Sequence, residues 1–196
     1  MAQINEIVFL LFPDFLELDY IGPLDVFARV KNNVDPSLKI KTVAETKTVR
    51  SVNGLTFEVD DVLPHVAVPS DALLVVPGGK GAREIFINGN PTLEKYITSF
   101  FALQSNTVSS VCTGSLLLAR TGILADRKAT THYTAVSYLT SYTNEVVKAR
   151  FVEDRRVITS AGVTAGIDMA LYVTEKFWGE KVRKGVEESM EYSMRT

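Results

Sequence analysis

The sequence predicts an α/β sandwich built on a mostly parallel sheet, and three observations lead to this class. Short continuous apolar runs such as EIVFLLF and DALLVVPGG are typical of strands buried on both faces. Segments with helical periodicity lie between these runs, as in βαβ units. Turns rich in glycine or small residues follow two of the runs, so each strand has a clear end. The 196 residues suit one domain, residues 1–196.

The first third of the chain alternates strand and helix before a hairpin. The run Glu6–Phe12 predicts the first strand. A helix is predicted over residues 22–32, with Pro23 near its first turn, where the missing N–H has no cost. Alternating residues at Leu38–Ala44 predict a second strand. Asn53-Gly54 lies between two alternating runs, which is the signature of a β-hairpin over residues 48–59.

The remaining elements continue this alternation. A buried strand is predicted within Asp71–Gly79, an amphipathic helix within 90–104, and a further buried strand at 107–111. A helix then follows Cys112 and ends near Gly122, a residue suited to the position after a helix. The last third is predicted to contain a strand at 128–132, a helix at Tyr133–Ser141, a hairpin at 149–162, a long helix at 162–179 and a final helix from Glu180.

Composition excludes several classes of function. Net charge is −2 with 22% charged residues spread along the chain, which argues against a nucleic-acid partner. No apolar run reaches the roughly 20 residues that cross a bilayer, and the first residues lack the basic start of a signal peptide. A single cysteine forms no internal disulfide. We therefore expect a cytoplasmic protein with no membrane partner.

The single cysteine, Cys112, lies where a predicted strand turns into a predicted helix. Such a turn exposes a side chain on a sharp bend, and the small residues Gly114 and Ser115 allow that bend to form. The start of a helix favours the thiolate, the nucleophilic form of cysteine. The alternative is a small buried hydrophobic residue without a chemical role. The turn alone does not decide between these interpretations.

A nucleophile also needs an acid or base and donors for negative charge, and the ends of other strands offer candidates. Asp19 follows the first strand in an apolar setting. Beside a thiolate its pKa would rise, because two negative charges resist coexisting, and the pair would titrate together. The alternative for Asp19, as for Asp25, is a helix cap.

Two further strand ends carry weaker candidates. Gly78 and Gly79 would present backbone N–H groups to an oxyanion, although a glycine pair after a strand is common. His132 would orient a ligand or the thiol, although a lone histidine there is more often structural. His65 and His132 have no cysteine or carboxylate partners, so no metal site is expected. The stretch GGKGAR departs from both dinucleotide and phosphate-binding patterns.

Four segments together resemble the DJ-1/PfpI superfamily over nearly the whole chain. They are FPDFLELDYIGPLDVF, LLVVPGG, VCTGSLLLARTGILADRKATTHY and SAGVTAGIDMAL, which occur in the family's order. More narrowly, they are similar to the isonitrile hydratase branch. The ligand-sensing domains of AraC-type regulators also carry a cysteine turn and a TTH segment.

The resemblance implies a flavodoxin-like three-layer sandwich with the cysteine on a nucleophile elbow, usually in a homodimer, with a small electrophile as substrate and no cofactor. Its site residues carry over as Cys112 for the nucleophile, Asp19 for the acidic partner, Thr113 for the threonine beside the nucleophile, Gly78 and Gly79 for the backbone donors, and His132 for the pocket histidine. These are the residues selected from local chemistry.

The resemblance also has departures. PfpI-type proteases carry histidine directly after the cysteine, and Thr113 here argues against a peptidase. The chain ends at Thr196 without a helix-turn-helix domain, which disfavours a regulator, and ends earlier than many hydratases.

The expected function is therefore hydration of an isonitrile to an N-substituted formamide through a thioimidate on Cys112. One alternative is glyoxalase-type chemistry on reactive carbonyls, with Asp19 or His132 as the base. Another is a non-catalytic dimer that senses oxidants or binds a small electrophile through Cys112.

Overall fold

The computed structural model describes residues 3–196, which form a sheet between two layers of helices. The strands are β1 (Glu6–Leu10), β2 (Lys39–Ala44), β3 (Thr48–Arg50), β4 (Thr56–Glu58), β5 (Asp61–Val62), β6 (Ala72–Val76), β7 (Thr107–Val111), β8 (Lys128–Ala129), β9 (Glu145–Val146), β10 (Phe151–Asp154) and β11 (Val157–Ser160). The helices are α1 (Glu17–Asn33), α2 (Lys80–Asn88), α3 (Pro91–Ala102), α4 (Ser115–Arg120), α5 (Val136–Leu139), α6 (Ala165–Trp178) and α7 (Glu180–Ser189).

The main sheet has seven strands in the order β10-β11-β7-β6-β1-β2-β5. Every neighbouring pair is parallel except β10 with β11, which are antiparallel. The side chains of β6 and β7 are buried along their whole length, as expected for central strands covered on both faces. The helices α1, α6 and α7 pack together on one face, and α2, α3, α4 and α5 cover the other. The predicted mostly parallel three-layer sandwich is confirmed.

Parallel order brings the ends of four strands to one edge of the sheet. The chain leaves β1 towards α1, β6 towards Gly78, β7 towards Cys112 and β11 towards residues 161–164. Ser160 pairs with Val111, so the segment after β11 lies directly beside the elbow. This edge is where open α/β sheets form their sites.

The first helix is longer than predicted. It begins at Glu17 rather than near residue 22, and Pro23 lies in its interior rather than in its first turn. The buried residues Tyr20, Pro23, Phe27 and Val30 recur every three or four positions, so the apolar stripe runs unbroken through the proline. The prediction was wrong because it took the proline as a start signal.

The helix α2 was not predicted, because its sequence begins with Lys80-Gly81 directly after two glycines. Gly81 is needed there, since a Cβ would lie 1.9 Å from the Pro13 carbonyl oxygen.

Two predicted elements are shorter than expected. The predicted strand at 128–132 contributes only β8, which pairs with β9 outside the main sheet. The predicted helix at 133–141 is four α-helical residues between two 3-10 turns.

The two predicted hairpins and the C-terminal helices are confirmed. The strands β3 and β4 pair antiparallel around Asn53-Gly54, although the loop between them spans residues 51–55. The strands β10 and β11 form the second hairpin. The long helix α6 begins three residues later than predicted, and α7 follows it from Glu180.

Candidate active site

Cys112 sits on a sharp turn between β7 and α4. Its φ is +56°, a left-handed conformation that costs a non-glycine residue about 1–3 kcal/mol unless its surroundings enforce it. Here they do so: the Cys112 N–H donates to the Ala161 carbonyl at 3.0 Å, and the Cys112 carbonyl accepts from the Thr131 hydroxyl at 3.1 Å. Gly114 permits the bend, because a Cβ there would lie 2.2 Å from the Val76 carbonyl oxygen. The predicted elbow geometry is present.

Asp19 lies in the first turn of α1 and is completely buried. Its Oδ2 accepts the Gly78 N–H at 2.9 Å. Its Oδ1 is buried without a well-formed hydrogen bond, and the Cys112 thiol is the side chain that interacts with this carboxyl. Asp19 is therefore not the helix cap, a position that Leu16 occupies, and Asp25 lies further along the same helix.

Burial governs the protonation of the Cys112–Asp19 pair. Desolvation raises the pKa of Asp19 from 3.8 to about 7, and the bonds from Gly78 and Cys112 offset only part of this. Desolvation, and then the Asp19 charge, raises the pKa of Cys112 to about 12. The predicted rise in the pKa of Asp19 is confirmed, but burial is its cause, and the contact with Cys112 lowers this pKa rather than raising it. The expected lowering of the thiol pKa is wrong for the resting site, because Cys112 is only 6% exposed.

The order of these values says where the proton lies. Above about pH 7 the carboxylate loses its proton before the thiol does, so the resting pair is a thiol beside a carboxylate. Transfer of that one proton from sulfur to oxygen generates the thiolate without a change in net charge. This arrangement can supply a thiolate, the form of cysteine that acts as a nucleophile.

Gly78 and Gly79 do not present free donors. The Gly78 N–H is bonded to Asp19, and the Gly79 N–H donates to the Thr113 hydroxyl oxygen at 2.9 Å. The Thr113 hydroxyl in turn lies 3.1 Å from the Gly79 carbonyl oxygen. The expectation of an oxyanion site at these two glycines is thus wrong, because both amides are already engaged. They fix Asp19 and Thr113 in position instead.

The donors that act on sulfur come from two other segments. The Thr113 backbone N–H and hydroxyl and the Val163 backbone N–H each lower the pKa of the Cys112 thiol against its burial. Sequence reasoning missed Val163. The signal was the small-residue stretch SAGVTAG directly after a strand that, in a parallel sheet, ends beside the elbow.

His132 lies on the wall of a neighbouring cavity rather than on the thiol. Its Nδ1 is 2.8 Å from the Thr134 hydroxyl oxygen, and its ring packs over Gly162, where a Cβ would lie 2.4 Å from Cδ2. Burial, and then the charge of Arg83, lowers its pKa, so the ring is neutral at neutral pH. The structure does not place His132 against the thiol, and its contact with a ligand stays a prediction.

The cavity has a volume of about 600 Å³. It is lined by segments 130–133, 146–150 and 161–164 together with Val136, and Cys112 itself is not part of the wall. The two sites are nevertheless adjacent, since Thr131, Ala161 and Val163 belong to both.

Residues 3–196 contain no group of three or more acidic, histidine or cysteine side chains that would hold a metal ion. Among the helices described, none is both long enough and apolar enough to cross a membrane.

Comparison with known proteins finds relatives over most of this chain. Residues 5–176 match the model of the DJ-1/PfpI family. An isonitrile hydratase of Pseudomonas putida is 34% identical over 96% of this chain and 78% of its own length. The transcriptional regulator CdhR of Pseudomonas aeruginosa is 31% identical over 92% of this chain, which spans about half of that protein (53%).

Solved structures share the fold. A ThiJ/PfpI family protein of Pseudomonas syringae superposes with a TM-score of 0.80 at 26% identity, covering 100% of this chain and 78% of that one. Drosophila melanogaster DJ-1beta superposes with a TM-score of 0.85 at 19% identity, covering 97% and 100%. The flavodoxin-like arrangement is thus shared with these proteins, and the chain belongs to the DJ-1/PfpI family.

Proposed function

We propose that this protein hydrates isonitriles to N-substituted formamides through Cys112. The observation that carries the proposal is the buried pair formed by Cys112 on the elbow and Asp19 of α1, which holds one transferable proton. Similarity to an isonitrile hydratase across 96% of the chain supports the choice of substrate. Isonitriles suit such a pair, because their terminal carbon accepts both a nucleophile and a proton.

In the first step, Asp19 accepts the thiol proton as sulfur bonds to the terminal isonitrile carbon. Asp19 then returns that proton to the same carbon, which gives a neutral thioimidate, R–N=CH–S–Cys112. The Thr113 and Val163 backbone N–H groups stabilise the sulfur while it carries charge. The substrate gains the elements of the thiol, and Asp19 is again a carboxylate.

In the second step, water adds to the thioimidate carbon. Asp19 accepts a proton from the water as general base and passes it to the substrate nitrogen. The C–S bond of the tetrahedral intermediate then breaks as its hydroxyl becomes the formyl C=O, Asp19 transfers the hydroxyl proton to sulfur, and R–NH–CHO leaves. One isonitrile and one water are consumed for each formamide, so no redox partner is required. The reaction needs a reduced thiol, which fits a reducing compartment such as the cytoplasm.

Turnover of cyclohexyl isonitrile, followed by the appearance of N-cyclohexylformamide, tests the proposal. We expect formamide from the wild type and a loss of at least about a thousandfold in Cys112→Ala and in Asp19→Asn, because each removes half of the proton-transfer pair. Asp25→Asn is the matched control, since this carboxylate is on the same helix, half-exposed, and paired with Arg29. It should keep wild-type turnover.

Two outcomes would contradict the hydratase assignment. One is absence of formamide at high enzyme concentration. The other is unchanged turnover in Cys112→Ala. Methylglyoxal is then the next substrate, for the glyoxalase-type alternative. Burial of the thiol and its raised pKa weaken the oxidant-sensing alternative, because oxidation needs an accessible thiolate.

We further propose that the protein is a homodimer. The side chains of Leu18, Ile21, Val52 and Leu55 are between 38% and 54% exposed and form what we term the α1–hairpin patch. Glu17 joins the two segments that carry the patch, because it accepts hydrogen bonds from the Ser51 hydroxyl, from the Asn53 backbone N–H at 3.0 Å and from Asn53 Nδ2 at 2.7 Å. A second copy of the chain would bury it.

A further inference from the structure

The cavity beside the elbow carries basic groups, and no Asp or Glu lies among its lining residues. Lys148, Arg150 and His132 contribute its basic side chains, and most of the remaining wall is apolar or carries hydroxyl groups. Its volume of about 600 Å³ falls in the range of small-molecule sites. The chemistry of Cys112 described above makes no use of these three side chains.

The cavity extends away from the reacting sulfur. The Val163 N–H acts on the thiol, and Val163 also lines the cavity. Ala161 and Thr131, which hold the Cys112 backbone, line it as well. A substrate whose reactive carbon lies at sulfur would therefore extend its other end past Val163 into the cavity.

Arg150 is held rigidly at the cavity wall. Its Nε donates to Asp168 Oδ2 at 2.8 Å, and its Nη2 donates to the same oxygen and to the Thr164 hydroxyl at 3.1 Å. Asp168 is fully buried, and its Oδ1 accepts from the Tyr192 hydroxyl at 3.0 Å and the Arg195 N–H at 2.8 Å. Arg150 Nη1 donates no hydrogen bond to residues 3–196, so its two hydrogens remain available to a ligand.

Lys148 supplies the uncompensated charge. Its side chain is exposed and forms no ion pair within the part of the chain that the structure describes, whereas Asp168 neutralises Arg150. A ligand carboxylate would therefore gain a counter-ion from Lys148 and a fixed donor from Arg150. A neutral carbonyl would gain the hydrogen bond from Arg150 but not the ionic attraction of Lys148.

We propose that the cavity binds the distal end of the substrate and that this end is a carboxylate. The substrates are then short isonitriles with an anionic group, which rests on the hydratase function proposed above. Lys148 and Arg150 are its specificity-determining residues. They act on binding of the distal group and leave the proton transfer between Cys112 and Asp19 unchanged.

Isocyanoacetate and methyl isocyanoacetate provide the test, since they differ by one charge. We expect the wild type to show a kcat/KM about tenfold or more higher for the acid than for the ester. Lys148→Glu should reverse this preference, because kcat/KM falls far more for the acid than for the ester. Lys39→Glu is the matched control, because Lys39 is exposed at the start of β2, far from the carboxyl ends of the strands. Equal use of acid and ester by the wild type, or equal loss of both in Lys148→Glu, overturns the inference.

Binding to the Cys112→Ala variant separates this inference from the hydratase proposal. By calorimetry, N-formylglycine should bind at least about tenfold more tightly than its methyl ester, and Lys148→Glu should abolish the difference. If this binding preference is found and the wild type hydrates no isonitrile, the anionic cavity is supported and the hydratase proposal is overturned. If the wild type hydrates neutral isonitriles and neither assay shows a preference for the carboxylate, the hydratase proposal is supported and the anionic cavity is overturned. Arg150→Gln is a secondary variant, because it leaves Asp168 buried without its cation.

Discussion

Cys112 and Asp19 depend on each other for their protonation, and this dependence has a measurable consequence for catalysis. Below about pH 7 both groups hold protons, and no acceptor exists for the thiol proton. We therefore expect kcat/KM to rise with pH through an apparent pKa of about 7 and then to level off. The measurement is a pH–rate profile from pH 5 to 9 with an isonitrile. A flat profile would contradict the role of Asp19 as proton acceptor.

The buried Asp19 also affects stability, which is highest at low pH, whereas the proposed catalysis needs a pH above about 7. Its folded pKa of about 7 exceeds its ordinary 3.8, so the folded state binds this proton more tightly than the unfolded state does. Stability is therefore fully present below about pH 4 and falls as pH rises to about 7, by at most roughly 4 kcal/mol. Asp19→Asn should raise the free energy of unfolding by about 2–4 kcal/mol at pH 8.

Urea unfolding at pH 4.5 and pH 8 measures this effect. The advantage of Asp19→Asn should be small at the lower pH, and Asp25→Asn should show no such dependence. An Asp19→Asn variant less stable than wild type at pH 8 would mean that hydrogen bonding outweighs desolvation at this carboxyl.

At the scale of single residues, the sequence predicted which residues lie together better than it predicted the hydrogen bonds that they make. Cys112, Asp19 and Thr113 do lie together, because each occupies or follows the end of a parallel strand. The engagement of the Gly78 and Gly79 amides was not predictable, since it depends on where Asp19 and Thr113 lie after folding. The same holds for Val163, whose backbone rather than its side chain acts on sulfur.

Among the elements, the elbow imposes the strictest local demand on sequence. A Cβ at Gly114 would lie 2.2 Å from the Val76 carbonyl oxygen and 2.7 Å from that of Pro77, both backbone atoms that cannot move independently. We expect Gly114→Ala to lower the free energy of unfolding by about 3 kcal/mol or more. Gly185→Ala is the control, because a Cβ on this residue of α7 meets nothing within 4 Å.

The control should stabilise the protein by about 0.5–1 kcal/mol, since alanine favours a helix over glycine. Chemical unfolding of both variants checks the pair. Similar values for the two would mean that β6 and the elbow separate more easily than their contacts indicate.

Element type was predictable where one signal dominated. Apolar runs identified β1 and β6, and a run of small and β-branched residues identified β7, because central strands are covered on both faces. The helix α2 was missed because its glycine-rich start is required by contact with Pro13, a tertiary reason. Residues 133–141 have helical periodicity yet form mainly 3-10 turns, since tertiary context overrides weak local preference.

For the whole molecule, the order of strands creates the site. The strands β1, β6, β7 and β11 come from distant parts of the chain, and their parallel pairing collects the segments that follow them at one edge. This much follows from the alternation of strand and helix in the sequence. The shape of the neighbouring cavity does not, because it depends on β8, β9 and the turns that connect them.

The proposed homodimer is also a property of the whole molecule. Ile21→Glu would introduce a charge into the α1–hairpin patch and should convert a wild-type dimer into a monomer in sedimentation velocity. Ile87→Glu is the matched control, since Ile87 is 68% exposed on α2, outside the patch, and should leave the dimer intact. A wild-type monomer, or a dimer that survives Ile21→Glu, would contradict this interface.

Because the chain has a single thiol, adducts formed on sulfur report which electrophiles reach the site. Any thioether or thioimidate formed with an electrophile must lie on Cys112, so an adduct mass that is present in the wild type and absent in Cys112→Ala identifies both the compound and its position. Incubation with a mixture of small electrophiles, followed by mass spectrometry, would thus rank which ones enter the site. No peptide mapping would be needed to interpret the result.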